Sequence, residues 1–201
     1  YSHLVDWLTA IYTVSQAYMV SPLAGKLLMG FKDWETPPGF FAELNNEFHF
    51  TLDAASSHEN ALCKFYLTKE GLFAKRALYD IHDFLVHDFD HDTRDGLAYP
   101  WTDHRVFCNP PYDSSLYKWV EKAAKREANV AVLLLPPSID AKWFHDFIWM
   151  SDFALPKIAN GERPRAGIQI RFLRGRLRFW RDGKPGEAPR AGNMVVIFNG
   201  N

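Results

Sequence analysis

The stretch VAVLLLPPS, residues 130–138, restricts the possible folds more than any other part of the chain. From Val130 to Leu135 it has no polar side chain and so offers no face to water. Such a strand must be covered on both faces, as the central strand of a parallel sheet is. Its helical cover is also legible. GFFAELNNEFHF has helical spacing at Phe40, Phe41, Leu44 and Phe48. SSLYKWVEKAAKREA predicts a helix with Ser114 or Ser115 as N-cap and Leu116, Trp119, Val120, Ala123 and Ala124 facing inward. DAKWFHDFIWM predicts another, capped by Asp140, with Trp143 and Phe144 in the core or in the wall of a site. Short strands are expected from Phe50 to Asp53, at RVFC before Asn109, and at MVVIFN (194–199). IQIRFLRGRLRFW reads as a hairpin turning near Arg174 and Gly175. Strands alternating with helices imply an α/β domain with a mostly parallel sheet.

The segment 1–31 is expected to be an N-terminal helix and linker, and 32–201 a single domain with an acidic, histidine-rich insertion near 69–94. In the first twenty residues Leu4, Leu8, Ile11, Tyr12, Ser15, Tyr18 and Met19 fall on one side of a helix. Trp7 and Val14 lie elsewhere, which suits a second chain as partner and hence a homo-oligomer. This stretch has neither a basic leader nor 18 consecutive apolar residues, so no membrane span is expected. The chain begins with Tyr1 rather than Met, so part of the N-terminus is expected to be missing. Two cysteines, Cys63 and Cys108, allow at most one bridge and point to a reducing cytoplasm.

In a parallel sheet, ligands bind beyond the carboxyl ends of the strands. Two expected strands end there in polar residues, Asp53 and Asn109. Asn109 opens the sequence Asn-Pro-Pro-Tyr, 109–112. Proline has no N–H and drives the residue before it out of the helical region, so Pro110 and Pro111 make a stiff, extended bend. The Asn109 side-chain oxygen and the Pro110 carbonyl then converge as acceptors, and no proline N–H competes for them. A planar ligand with an exocyclic amino group would donate to both, with its flat face against Tyr112. Two acceptors enrich the amino nitrogen in electron density, which suits transfer of an electrophile such as methyl onto it. The plain alternative is an Asn-Pro turn.

Beyond this tetrapeptide, the strings DWETPPGFFAELNNEFHFTLDAASSHENALC, DGLAYPWTDHRVFCNPPY, LLPPSIDAKWFHDFI and RFLRGRLRFW resemble the phage DNA N-6-adenine methyltransferase family, in matching order over roughly residues 32–199. The resemblance implies a Rossmann-like class I methyltransferase fold, with a seven-stranded, mostly parallel sheet whose last strand is antiparallel. It implies S-adenosylmethionine as cofactor and DNA as partner, in a phage- or prophage-encoded enzyme acting in the bacterial cytoplasm. By position, Trp34, Thr36 and Pro37 would border the cofactor. Asp53 would accept from the cofactor's amino group, while Ala54 and Ala55 let the backbone approach. Asp95 would meet the adenosine, although EGLF at 70–73 and DGLA at 95–98 compete for the same alignment position. The target adenine would be extruded from the duplex, at a cost of a few kcal/mol. Methylation of cytosine N4, methylation of a protein glutamine and an inactive DNA-binding module are the competing readings.

Several of these residues have plainer readings. Asp53 would equally cap a following helix, and Thr36-Pro37-Pro38 would equally start one. His82, His87 and His91 stand among four aspartates but match no strong metal signature, so no metal is expected and a solvated insertion is preferred. Residues 157–190 hold ten basic and three acidic side chains, +7 in a chain of net charge −1, which leaves −8 elsewhere. Arg174, Arg176 and Arg178 share one face of a regular strand, and with Arg171 they are expected to meet the DNA backbone. A solvated edge strand that blocks aggregation is the alternative.

Overall fold

The computed structural model describes residues 34–68, 71–74, 95–150, 153–155, 158–159, 163–186 and 191–201. The N-terminal helix expected over the first twenty residues and the histidine-rich stretch 75–94 lie outside the described residues. Glu35–Asn201 forms one compact unit.

Helix α1 spans Pro38–Phe48 and buries Phe41, Leu44 and Phe48. It starts at Pro37-Pro38, where proline's fixed φ suits the first turn and its missing N–H is not needed. Strand β1 (Leu52–Asp53) follows, then β2 (Phe65–Thr68), β3 (Gly71–Ala74) and β4 (Arg105–Cys108). Helix α2 (Leu116–Ala124) leads to β5 (Val130–Leu135) and a π-helix, Phe144–Ile148. Four short strands come next: β6 (Trp149–Met150), β7 (Phe153–Leu155), β8 (Ile158–Ala159) and β9 (Arg163–Pro164). The chain closes with β10 (Ile168–Phe172), β11 (Trp180–Arg181), β12 (Lys184–Pro185) and β13 (Met194–Asn199).

Hydrogen bonds order the main sheet β10-β13-β5-β4-β1-β2-β3. Pairing of β2, β1, β4 and β5 is parallel. Strand β13 is antiparallel to both β5 and β10, so β10 shares the direction of the parallel group. The architecture is thus α/β around a mixed, mostly parallel sheet. Strand β3 also runs against its neighbour β2, a second antiparallel strand that the resemblance did not imply. Only positions 69 and 70 separate the two strands in sequence, far too few for a parallel crossover.

Strand β5 is buried along its whole length, with no residue more than 4% exposed. On one face of the sheet Leu133, Cys108 and Val196 pack with Trp119 and Val120 of α2 and Phe144 of the π-helix. On the other, Val132, Leu134 and Phe107 pack with Phe41 and Leu44 of α1. Full burial of each such side chain is worth about 1.5–3 kcal/mol. Neither cysteine forms a disulfide, and both are buried.

The expected hairpin over 168–180 is not formed. Strand β10 pairs with β13, and β11 pairs with β12 instead. The tight turn sits at Asp182 and Gly183, whose φ values of 51° and 70° suit a two-residue hairpin connection. Two expected caps also differ. Ser115 makes no side-chain capping bond; the Asp113 carboxylate accepts the Ser115 N–H at 2.7 Å instead. Asp140 caps nothing, and the segment after it enters a π-helix with no side-chain cap.

Candidate active site

The parallel strands end at one edge of the sheet, and the residues singled out by the sequence gather there. Asp53 ends β1 opposite Phe107 of β4, one residue before Cys108 and two before the Asn109 bend. It is 2% exposed and accepts the Leu62 N–H at 3.0 Å. No helix follows Asp53 directly, so its carboxylate closes the loop 54–62 rather than capping a helix. Burial and the Asp53 charge together push the Cys108 thiol well above its ordinary pKa, which keeps it protonated and inert.

Ala54 donates its N–H to the Phe107 carbonyl at 2.9 Å, while Ala55 is half-buried. The segment 95–101 lies directly on this turn. A side chain at Gly96 would strike the Ala54 carbonyl and would come within 2.7 Å of Trp119. Trp101, 1% exposed, donates its indole N–H to the Gly96 carbonyl at 3.0 Å, fixing the approach. Asp95, the exposed neighbour of Gly96, accepts the Leu97 N–H at 2.9 Å. Asp95, next to Gly96 in the chain, therefore stands near the Ala54–Ala55 turn.

After β4, Asn109 is half-buried, Pro110 buried and Tyr112 45% exposed. The Tyr112 hydroxyl is itself enclosed. It donates to the Leu134 carbonyl at 3.1 Å and accepts from the Asn193 amide at 3.2 Å. Burial raises its pKa well above the ordinary tyrosine value, with the Asn193 bond a smaller, opposing influence. The hydroxyl is thus a fixed anchor, while the residue as a whole remains 45% exposed. Phe179 meets that ring edge-on, with centroids 6.5 Å apart.

Phe179 links this site to the segment before α1. Glu35 and Trp180 exchange backbone hydrogen bonds of 2.9 and 2.8 Å, placing buried Thr36 and half-buried Pro37 next to the Phe179–Trp180 strand. Trp34 is 52% exposed and lies outside the compact unit.

Of the expected DNA contacts, Arg171 is already engaged. Both oxygens of Glu47 accept from its guanidinium at 2.6 Å, and the same hydrogen bonds hold the Glu47 carboxyl below its ordinary pKa. Arg174, Arg176 and Arg178 are exposed, but on irregular chain rather than a strand. Leu173 and Leu177 pack inward, so part of the alternation persists without a ladder.

The sequence did not point to Asn193 or Phe179. Asn193 is a buried amide at the head of an apolar strand, and that mismatch is the signal available for it. A depression lined by Arg126, Glu127, Asn129 and Gly200 lies at the opposite edge, by the start of β5, away from Asp53 and Asn109. No described helix is long and apolar enough to cross a membrane.

A family model described as DNA N-6-adenine-methyltransferase (Dam) matches residues 27–78 and 71–200. No curated protein and no solved structure matches the chain.

Proposed function

The chain belongs to the DNA N-6-adenine-methyltransferase family, and from that premise we propose that it methylates N6 of adenines extruded from DNA, with S-adenosylmethionine as methyl donor. The observation that carries this reading is the Asn109–Tyr112 bend at the end of β4, which begins two residues beyond Phe107, the register partner of Asp53 at the end of β1. Both sit where a mostly parallel sheet binds ligands. A Rossmann-like class I methyltransferase fold is the finer reading of this sheet.

The residues present fit the cofactor. The close Gly96–Ala54 approach brings together two small residues, each preceded in sequence by an aspartate, Asp95 and Asp53. Asp53 would hold the cofactor's amino group and Asp95 the adenosine, with Thr36, Pro37 and Ala55 bordering it. When bound, it supplies the electrophile, a methyl group on a sulfonium sulfur. The protein's part is alignment. The Asn109 oxygen and the Pro110 carbonyl accept the two N–H bonds of the adenine amino group and favour the positive charge that builds on nitrogen. Pro111 stiffens the bend, and the Tyr112 ring stacks on the base, worth about 1–3 kcal/mol. Arg174, Arg176 and Arg178 would contact the phosphate backbone, with Arg171 beside them. On this reading the protein acts on DNA in a bacterial cytoplasm and is encoded by a phage or prophage.

The test is incubation with unmethylated plasmid DNA and labelled cofactor, followed by nucleoside mass spectrometry. N6-methyldeoxyadenosine is expected from the DNA. Asn109→Ala should lower its rate of formation by about two to three orders of magnitude, as loss of one preorganised hydrogen-bonding group does elsewhere. Cofactor affinity should hardly change. Methylcytosine as the product, or a parental rate in Asn109→Ala, would overturn the reading.

A further inference from the structure

Asn193 immediately precedes β13. Because β13 runs against β5, its start stands at the edge where the parallel strands end. The backbone there is fixed, since the Asn193 carbonyl accepts the Leu173 N–H at 3.1 Å. The side chain is 4% exposed and meets Tyr112.

The hydrogen-bond order sets the amide's orientation. The Tyr112 proton goes to the Leu134 carbonyl, so the hydroxyl oxygen can only accept from Asn193. The Asn193 Nδ2 must therefore face Tyr112, and Oδ1 faces away. That oxygen is buried and has no partner among the described residues. A buried amide oxygen without a partner is unfavourable. Turning the amide over would present an acceptor to Tyr112, whose proton is already committed. The arrangement thus keeps the donor on Tyr112 at the expense of Oδ1.

We propose that Asn193 is a positioning residue for the substrate base. It locks the Tyr112 ring in its receiving orientation before the base arrives. The inference rests on the reading of Asn109–Tyr112 as the base site. A tyrosine with 45% of its surface exposed and no anchor would sample other rotamers. Two hydrogen bonds at the hydroxyl and the Phe179 edge contact remove that freedom. An ordered plate avoids the entropy loss of immobilising the ring at the moment of capture.

The experiment compares parent, Asn193→Ala, Tyr112→Phe and the double variant. It measures kcat/KM for labelled methyl incorporation into unmethylated plasmid DNA, together with cofactor affinity by calorimetry. Each single variant breaks the Asn193–Tyr112 hydrogen bond, and Tyr112→Phe also loses the bond to the Leu134 carbonyl. Each should lower kcat/KM by about tenfold, less than loss of the ring itself. Cofactor affinity should stay at the parental value. The double variant should be no worse than the poorer single one, because interacting residues are not additive. Multiplied losses in the double variant, or a parallel fall in cofactor affinity, would overturn the proposal. Tyr112→Ala separates the two levels of inference. A parental rate there removes the base site altogether. An impaired Tyr112→Ala beside a parental Asn193→Ala removes Asn193 alone.

Discussion

Gly96→Ala should be among the most damaging single-methyl additions in this protein. The added carbon would overlap the Ala54 carbonyl and stand 2.7 Å from Trp119 Cη2 and 3.0 Å from its Cζ3. Neither neighbour yields readily. The Ala54 carbonyl belongs to a backbone whose own N–H is bonded to Phe107. The Trp119 ring is 6% exposed and stacks on Trp101, with centroids 6.5 Å apart. Overpacking a closed site costs about 1–3 kcal/mol, and a backbone obstacle places this case near the upper end. For a unit of this size each kcal/mol moves the melting temperature by about 2–4 °C. A loss of about 6–12 °C is therefore expected in a circular-dichroism melt. Cofactor affinity should fall as well, because the displaced turn lies between Asp53 and Asp95. Gly39→Ala is the matched control. Gly39 lies inside α1 with nothing within 4 Å of an added carbon. Alanine is the better helix former by about 0.8–1 kcal/mol, so that variant should melt slightly higher. If Gly96→Ala melted within about a degree of the parent, the close approach would be wrong, and with it the placement of Asp95 beside the turn.

Two further outcomes follow from the charges. Burial holds the His104 pKa below its ordinary 6.5, against a smaller opposing influence of Asp103. Its folded value is the lower one, so the unfolded chain takes the proton first as pH falls. The stability it contributes is complete above about 6.5 and is lost as pH drops through the folded value. The parent's melting temperature should then fall more steeply between about pH 7.5 and 5.5 than that of His104→Gln; equal slopes would refute the assignment. Replacing Arg174, Arg176 and Arg178 together by alanine should make the log–log salt dependence of DNA affinity shallower, by about 0.9 for each phosphate no longer neutralised. An unchanged slope would leave the three arginines as a solvated surface.

What the sequence makes legible depends on whether a signal is local. Strand β5 is legible because six consecutive apolar residues admit one environment, and all six are buried. Asp53 and Asn109 are legible because a polar residue closing an apolar run marks the edge of a parallel sheet. The 168–180 stretch shows the limit of such signals. Its alternation holds only in part: Ile168 and Ile170 are half-buried, Phe172 breaks the phase at 64% exposed, and Leu173, Leu177 and Phe179 then turn inward while Arg174, Arg176 and Arg178 are exposed. Yet alternation reports which face a residue takes and not what its backbone pairs with. Here the inward side chains pack beneath the sheet while the main chain leaves the ladder. The Ser115 cap failed because Ser115 already has helical backbone angles (φ −81°, ψ −13°), and Asp113, two residues earlier, accepts its N–H.

Asn193 was hidden because its meaning depends on strand order. Read locally, an asparagine before MVVIFN is a loop residue at a strand's start. Only when β13 is inserted antiparallel beside β5 does that start fall among the ends of β1 and β4. The same inversion explains why its amide reaches Tyr112, 81 residues away in sequence, rather than a neighbour on its own strand. Gly96 has the same character. Nothing adjacent to it demands a glycine, and its φ is not positive. The demand comes from Ala54 across the sheet edge. The local motifs therefore supply the groups that would touch ligand, and the long-range contacts supply the residues that hold them still. A variant at either kind of position should impair methyl transfer. Only at the second kind should the loss be shared with a distant partner, as Asn193 shares it with Tyr112.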